Sequence, residues 1–415
     1  MILLSHPTAN QNVRQTALAF LEAHFLREFW TGVNWERDSF LDRLAGILPS
    51  VQNELRRRSF LPELAPFVRT QATREWFRLA AEQLGWKALT RYEHAPFSID
   101  AVYHALDQRV AKRVASGLAV NAVYAYDDGA LATFRAARER GIKCIYEHPV
   151  ISWQVVRQLQ QEEADLRPEW APTLGALRDS EEKLARKDEE LALADLVVTA
   201  SSFARESVLL APGLKAPVVV VPYGTRVAGG AVAKGPENAK LRVLFVGALS
   251  QAKGLAYVLD AVSKMANQVE FTLVGRRVRP TVPAPSVIAK YRWLPSLPHD
   301  ELLREMSRHD VLVFPSLHEG FGLVMTEAMS QGLVVITTPH TAGPDLITDG
   351  VDGFIVPIRS AAAIEEKLAL LLREPDRLRT MQEAAREKVR RWTWENYRQR
   401  LVHLAREVVD MPVDS

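Results

Sequence analysis

"DVLVFPSLHEGFGLVMTEAMSQG", residues 310–332, decides how the rest of the chain reads. Its start is an apolar, strand-like run. Gly320-Phe321-Gly322 cannot extend a helix well, and a helix, "LVMTEAMSQG", is expected to open at Gly322. Glu319 lies in the loop, and Glu327 lies in the helix eight positions on. Glycines let backbone N–H groups come close to a ligand. A helix start adds unpaired N–H groups and a positive dipole end, which suits an anion. A carboxylate would repel a bare phosphate but accepts well from paired hydroxyls. Such a loop suits a ligand carrying phosphate and sugar together. A capped helix with two solvated glutamates has the same spacing.

Working outward, near-continuous apolar runs recur. The first half has "MILLS", "NAVYAY", "KCIYEH", "DLVVTAS" and "PVVVVPYG"; the second has "LRVLFVGA", "VEFTLVG", "DVLVFPS" and "LVVITT". Unbroken apolar runs indicate parallel strands covered on both faces. Amphipathic helical patterns separate them: "QTALAFLEAHFLREFW", "GLAYVLDAVSKM", "HDELLREMSRH" and "AAAIEEKLALLLRE". Alternation in both halves predicts two doubly wound α/β domains. The first is expected over 1–222, a Gly/Ala/Pro-rich linker over 223–240, the second over 241–390 with its first strand at Leu241, and a closing helix over 391–415. The stretch from Phe25 to Tyr103 reads as an elaborated helical region of the first domain. Its "RRRSFLPELAPFVR" reads as a solvated helix end or, more sharply, as a contact for anionic lipid or an anionic acceptor.

Bulk properties exclude several classes. A chain of 415 residues is too long for one ordinary core. A net charge of +2 gives no global argument for nucleic acid. The single cysteine, Cys144, rules out a disulfide framework within the chain and fits a reducing compartment. The start lacks the basic n-region of a signal peptide, and no run approaches the roughly 18 apolar residues of a membrane span. A cytoplasmic location is expected, with peripheral contact to the inner face of the membrane kept open.

Ligands of open α/β sheets bind at the carboxyl ends of the strands. Lys253 follows "LRVLFVG" and would deliver a point charge for phosphate. Arg276 follows "FTLVG" at the same rim, and His148 ends "CIYEH" before the helix-breaking Pro149. A lone histidine there also serves as a structural hydrogen-bonding group.

Together these segments resemble the retaining, GT-B-fold nucleotide-sugar glycosyltransferases of family 4. The resemblance covers residues 190–400, including "VLFVGALSQAKGL", "GPDLITDGVDGFIVP" and "WTWENYRQRLVHL", with Glu319 and Glu327 filling the Glu-X7-Glu signature. It implies two Rossmann-like domains facing across a cleft, with "ENYRQRLVHLAREVV" crossing back to the first. Glu319 would contact donor-sugar hydroxyls, Glu327 the ribose, and backbone amides from Gly320, Phe321, Gly322 and Leu323 the sugar and diphosphate. Lys253 would neutralise the diphosphate, the backbone of Trp293 and Leu294 would meet the base, and His148 would lie near the reacting centre. Two positions depart from the family pattern. Ala248 stands where an arginine usually follows Gly247, so that Arg276 or a residue of the first domain is a candidate replacement. "SHPTANQNVRQ" stands where a Gly-Gly loop is usual.

The activity implied is transfer of a sugar from a nucleotide-sugar donor to a glycan, lipid-linked or small-molecule acceptor, without metal or other cofactor. "YDDGA" at 126–130 is the nearest approach to an Asp-X-Asp metal motif, and its aspartates are adjacent. Sugar-nucleotide epimerases and glycan phosphorylases share the fold. Glu-X7-Glu argues against the former, and the lack of a pyridoxal-phosphate lysine motif against the latter. The alternatives are a non-catalytic partner subunit of the same fold, or another GT-B enzyme such as a sugar-nucleotide epimerase.

Overall fold

A computed structural model describes residues 1–8, 10–46, 52, 55–226, 240–278 and 285–410. Of the expected linker, residues 227–239 lie outside the described residues, as do 411–415 of the closing helix.

The first domain holds a seven-stranded parallel sheet. Its strands are β1 (Ile2–Ser5), β2 (Leu26–Thr31), β3 (Val68–Thr70), β4 (Ala122–Tyr126), β5 (Lys143–His148), β6 (Leu196–Thr199) and β7 (Val218–Val220), in the order β3-β2-β1-β4-β5-β6-β7. The second holds a six-stranded parallel sheet of β8 (Leu241–Val246), β9 (Val269–Val274), β10 (Arg292–Leu294), β11 (Val311–Phe314), β12 (Val334–Thr337) and β13 (Gly353–Ile355), in the order β10-β9-β8-β11-β12-β13. Every one of the nine expected runs contains a strand.

The longer helices of the first domain are α1 (Gln11–Glu22), α2 (Thr73–Gln83), α3 (Ile99–Ala115), α4 (Leu131–Arg138), α5 (Trp153–Leu166), α6 (Glu181–Leu193) and α7 (Ser202–Val208). Those that follow are α8 (Leu255–Lys264), α9 (His299–Met306), α10 (Leu323–Ser330), α11 (Ala361–Arg373), α12 (Pro375–Val389) and α13 (Trp394–Asp410). Shorter helical turns lie between them.

"QTALAFLEAHFLREFW" was expected as one helix, but it divides into the end of α1 and most of β2. The reason is a helix stop without glycine. His24 takes a left-handed conformation (φ 56°), its N–H donates to Leu21 O at 3.0 Å, and Phe25 N–H donates to Phe20 O at 2.7 Å. This is the paired closure of a Schellman motif, with histidine in the position that glycine usually fills. The released chain then pairs beside β1, Leu26 against Ile2 and Phe29 against Leu4. The Phe25–Tyr103 region is therefore not wholly helical, since β2 and β3 extend the sheet to its edge.

The closing helix α13 packs on α1. Tyr397 Oη lies 2.8 Å from Thr16 Oγ1, and Arg398 pairs with Glu22 at 2.9 Å. One apolar cluster runs from Ile2, Phe20 and Tyr124 of the first domain through Tyr223 to Phe314, Phe321 and Met325 of the second, and takes in Trp394 and Tyr397. Continuous burial of this kind holds the two sheets in one orientation.

Candidate active site

Three loops leave the carboxyl ends of the second sheet and meet. The loop after β8 runs through Gly247 and Ala248 into a 3-10 turn, Gln251–Lys253, closed by Gly254. Gly254 is left-handed (φ 68°), and a Cβ there would run into the carbonyl of Pro315 at the end of β11. Only glycine allows that approach, which brings Lys253 beside the loop after β11. Its ammonium sits in direct contact with the Glu319 carboxylate and 5.7 Å from the centre of the Phe314 ring. Two residues assigned from sequence to the same ligand thus meet. Both remain partly exposed, so the pair is open to competition from a ligand.

The loop after β9 pairs with the first one: Leu249 N–H donates to Arg276 O at 3.0 Å. The Arg276 side chain is exposed at this rim. The guanidinium of its neighbour Arg277 lies over the Trp293 ring at 4.2 Å. Trp293 Nε1–H donates to Gly275 O at 3.0 Å, and Leu294 O accepts from Gly275 N–H at 3.0 Å. Trp293 and Leu294 therefore sit at the edge of the same rim, on β10.

Gly322 precedes α10, whose first turn opens toward the loops. Phe321 is buried against Tyr223 at 5.4 Å between ring centres. It anchors the loop in the core, so only its backbone is left to face a ligand, together with Gly320, Gly322 and Leu323. Glu327 lies in the second turn of α10, and its Oε1 is 2.9 Å from His299 Nε2 at the start of α9. The hydrogen bond to Glu327 raises the imidazole's pKa above its ordinary 6.5, against the opposing effect of burial. His299 escaped notice in the sequence because nothing in "LPHDELL" announces a tertiary partner 28 positions on.

The first domain approaches from the other side. A Cβ on Gly320 would strike the carbonyl of Pro149, the residue after His148, and Ser201 Oγ donates to Gly320 O at 2.6 Å. His148 therefore stands one residue from the point where the two domains touch. It is buried, and among the described residues neither ring nitrogen makes a well-aligned hydrogen bond. A buried polar group without a well-aligned partner costs stability. Its Nδ1 lies 3.4 Å from Asp127 Oδ1, just after β4.

Asp127 and Asp128 are engaged by Lys187, at 2.7 and 2.8 Å. Burial pushes the Asp127 carboxyl up, but Lys187 and His148 outweigh it and hold it well below the carboxylate range. The ammonium occupies the position between the two carboxylates that a cation would take. Among the described residues there is no group of three or more His, Cys, Asp or Glu able to hold a metal ion. In the sequence Asp127 reads only as half of a metal motif. Its place directly after a strand was the available signal for a cleft residue.

The Arg56-Arg57-Arg58 cluster divides. Arg56 pairs with buried Asp42 at 2.7 Å, and Arg58 with buried Glu75 at 2.8 Å. Those two arginines serve the packing of the β2–β3 region. Among the described residues no helix is long and apolar enough to cross a membrane.

Two Rossmann-like domains whose strand ends face each other across a cleft define the GT-B class. Solved structures of that class cover nearly the whole chain. Sucrose-phosphate synthase from Thermosynechococcus elongatus aligns over 98% of both chains with a TM-score of 0.69 at 18% identity. Anabaena HepE, solved with UDP and glucose, aligns over 99% of both with a TM-score of 0.62 at 15% identity. Residues 232–388 match the family model described as glycosyl transferases group 1. D-inositol 3-phosphate glycosyltransferase from Corynebacterium urealyticum is 33% identical over 121 residues, which is 29% of this chain and 28% of that protein. Phosphatidyl-myo-inositol mannosyltransferase from Mycobacterium leprae is 32% identical over 160 residues, 37% of this chain and 42% of that one. The matched stretch thus spans less than half the length of either relative.

Proposed function

We propose that this chain is a retaining glycosyltransferase that moves a sugar from a nucleotide-sugar to an acceptor hydroxyl without a metal ion. The observation that carries the reading is convergence. Lys253, Glu319 and the start of α10 meet on one side, and His148 with Asp127 stands on the other, where Gly320 touches Pro149. The second domain's match to the family model and the UDP complex of HepE point the same way.

In the reaction, the bond from the anomeric carbon to the leaving phosphate oxygen breaks. A bond to the acceptor oxygen forms on the same face, and the acceptor proton passes to the leaving phosphate. Catalysis then consists of stabilising charge that develops on the diphosphate, through Lys253 and the α10 amides. Glu327 holds the ribose and Glu319 the donor sugar. Trp293 and Leu294 border the base. Arg276 supplies the phosphate cation that Ala248 does not.

A non-catalytic partner subunit is the second reading, favoured by Ala248 and by the direct pairing of Lys253 with Glu319. Donor hydrolysis separates the two. The wild-type protein is expected to release sugar slowly from at least one member of a nucleotide-sugar panel, and Lys253→Ala to lower that rate more than it raises KM. Donor binding without any hydrolysis or transfer would favour the subunit reading.

A further inference from the structure

Helix α5 belongs to the first domain, yet polar side chains on one of its faces end in the second. Gln160 and Glu163 are three positions apart and therefore share a face. Glu163 is completely buried. Its Oε1 accepts from Gln251 Nε2 at 2.6 Å and from Tyr257 Oη at 2.8 Å, and its Oε2 accepts from Arg359 Nε at 2.8 Å. All three donors come from the second domain. Gln160 Nε2 lies 3.0 Å from His318 Nε2, and Gln160 Oε1 accepts from Ala176 N–H at 2.9 Å.

The positions these two side chains reach are specific. Gln251 begins the 3-10 turn that ends at Lys253, and its Oε1 accepts from Ala256 N–H at the start of α8. His318 immediately precedes Glu319. From one helix face, Glu163 therefore grips the loop carrying Lys253, and Gln160 the loop carrying Glu319. Arg359 reinforces the grip from outside. It holds a left-handed backbone (φ 63°), and its guanidinium also donates to Leu159 O and pairs with Glu162. A buried carboxylate is costly unless its partners are in place. Here those partners exist only while α5 is docked on the second domain.

We propose that Glu163 and Gln160 are positioning residues for the donor site: through Gln251 and His318 they set Lys253 and Glu319 from the opposite domain. The donor cradle is then complete only when the two domains are together. This inference rests on reading those loops as the donor site.

The test measures binding of ADP, GDP and UDP by calorimetry, with melting temperatures on the same samples. Glu163→Ala is expected to weaken the best-binding nucleotide about tenfold or more, but only about threefold or less when Lys253 is already alanine, because the two substitutions act through one contact. Gln160→Ala, which removes no buried charge, is expected to weaken binding a few-fold with little change in melting temperature, and it decides the matter if Glu163→Ala does not fold. Normal affinity in a destabilised Glu163→Ala protein, or an equal loss in both Lys253 backgrounds, would show a merely structural role and overturn the inference alone. Failure of the wild-type protein to bind any of the three would overturn the donor-site reading, and this inference with it.

Discussion

Glu327 and His299 illustrate what a single residue is asked to do. On the proposed function, a carboxylate in the second turn of α10 is the acceptor for two ribose hydroxyls. Glu327→Ala should weaken nucleotide binding by roughly 2–4 kcal/mol, since hydrogen bonds to charged groups are worth more than neutral ones. Calorimetry on the folded mutant checks it, and unchanged affinity would remove Glu327 from the site. His299 adds a pH dependence. Its folded pKa is raised above 6.5, chiefly by Glu327 and slightly by Asp300, with burial and then Arg226 opposing. A raised histidine pKa stabilises the fold fully below about pH 6.5, and that contribution fades as pH rises through the folded value. The melting temperature lost in His299→Gln should therefore be larger at pH 5.5 than at pH 8.5. Because His299 is more than a third exposed, the difference will be small. A His148→Ala protein should turn over roughly 10²–10³ times more slowly while binding nucleotide nearly normally. If the imidazole serves only the fold, single-turnover rates on the folded fraction will match wild type.

At the scale of elements, the 3-10 turn Gln251–Lys253 is decided by one backbone angle. Gly254→Ala places a Cβ against the Pro315 carbonyl in a left-handed conformation. That conformation alone costs an L-residue about 1 kcal/mol, and the clash adds to it. The turn must shift, taking Lys253 away from Glu319. Stability is expected to fall by about 2 kcal/mol or more, with a loss of nucleotide affinity approaching that of Lys253→Ala. Denaturant melts and calorimetry on one preparation test both. A mutant that melts and binds like wild type would show that the turn has another conformation open to it.

At the scale of the whole molecule, Gly320 meets Pro149 where the two domains touch. Gly320→Ala cannot be accommodated without moving one backbone away from the other. The expected result is a larger radius of gyration in solution scattering and, on the proposed function, a turnover lowered by on the order of 10²-fold as His148 moves away from the loop after β11. An unchanged radius with full activity would mean that the domains do not work at this separation.

Much of this architecture was legible along the chain because its signals are local. Unbroken apolar runs such as "LRVLFV" and "VLVF" indicate strands covered on both faces, and "HEGFG" marks by its glycines a loop that follows one. The elements that escaped were those without a local signature. β3, β10 and β13 are three residues long, and the end of α1 is marked by a histidine rather than a glycine. The sequence by itself determined that there are two doubly wound sheets, and which loops leave their carboxyl ends. Only the tertiary structure decided which side chains meet there: Lys253 with Glu319, Glu327 with His299, His148 with Asp127, and Glu163 with three donors of the other domain. Those pairings span from 21 to 196 positions. Helical and strand periodicity reports which face a residue occupies, but not which residue faces it once the chain has folded back.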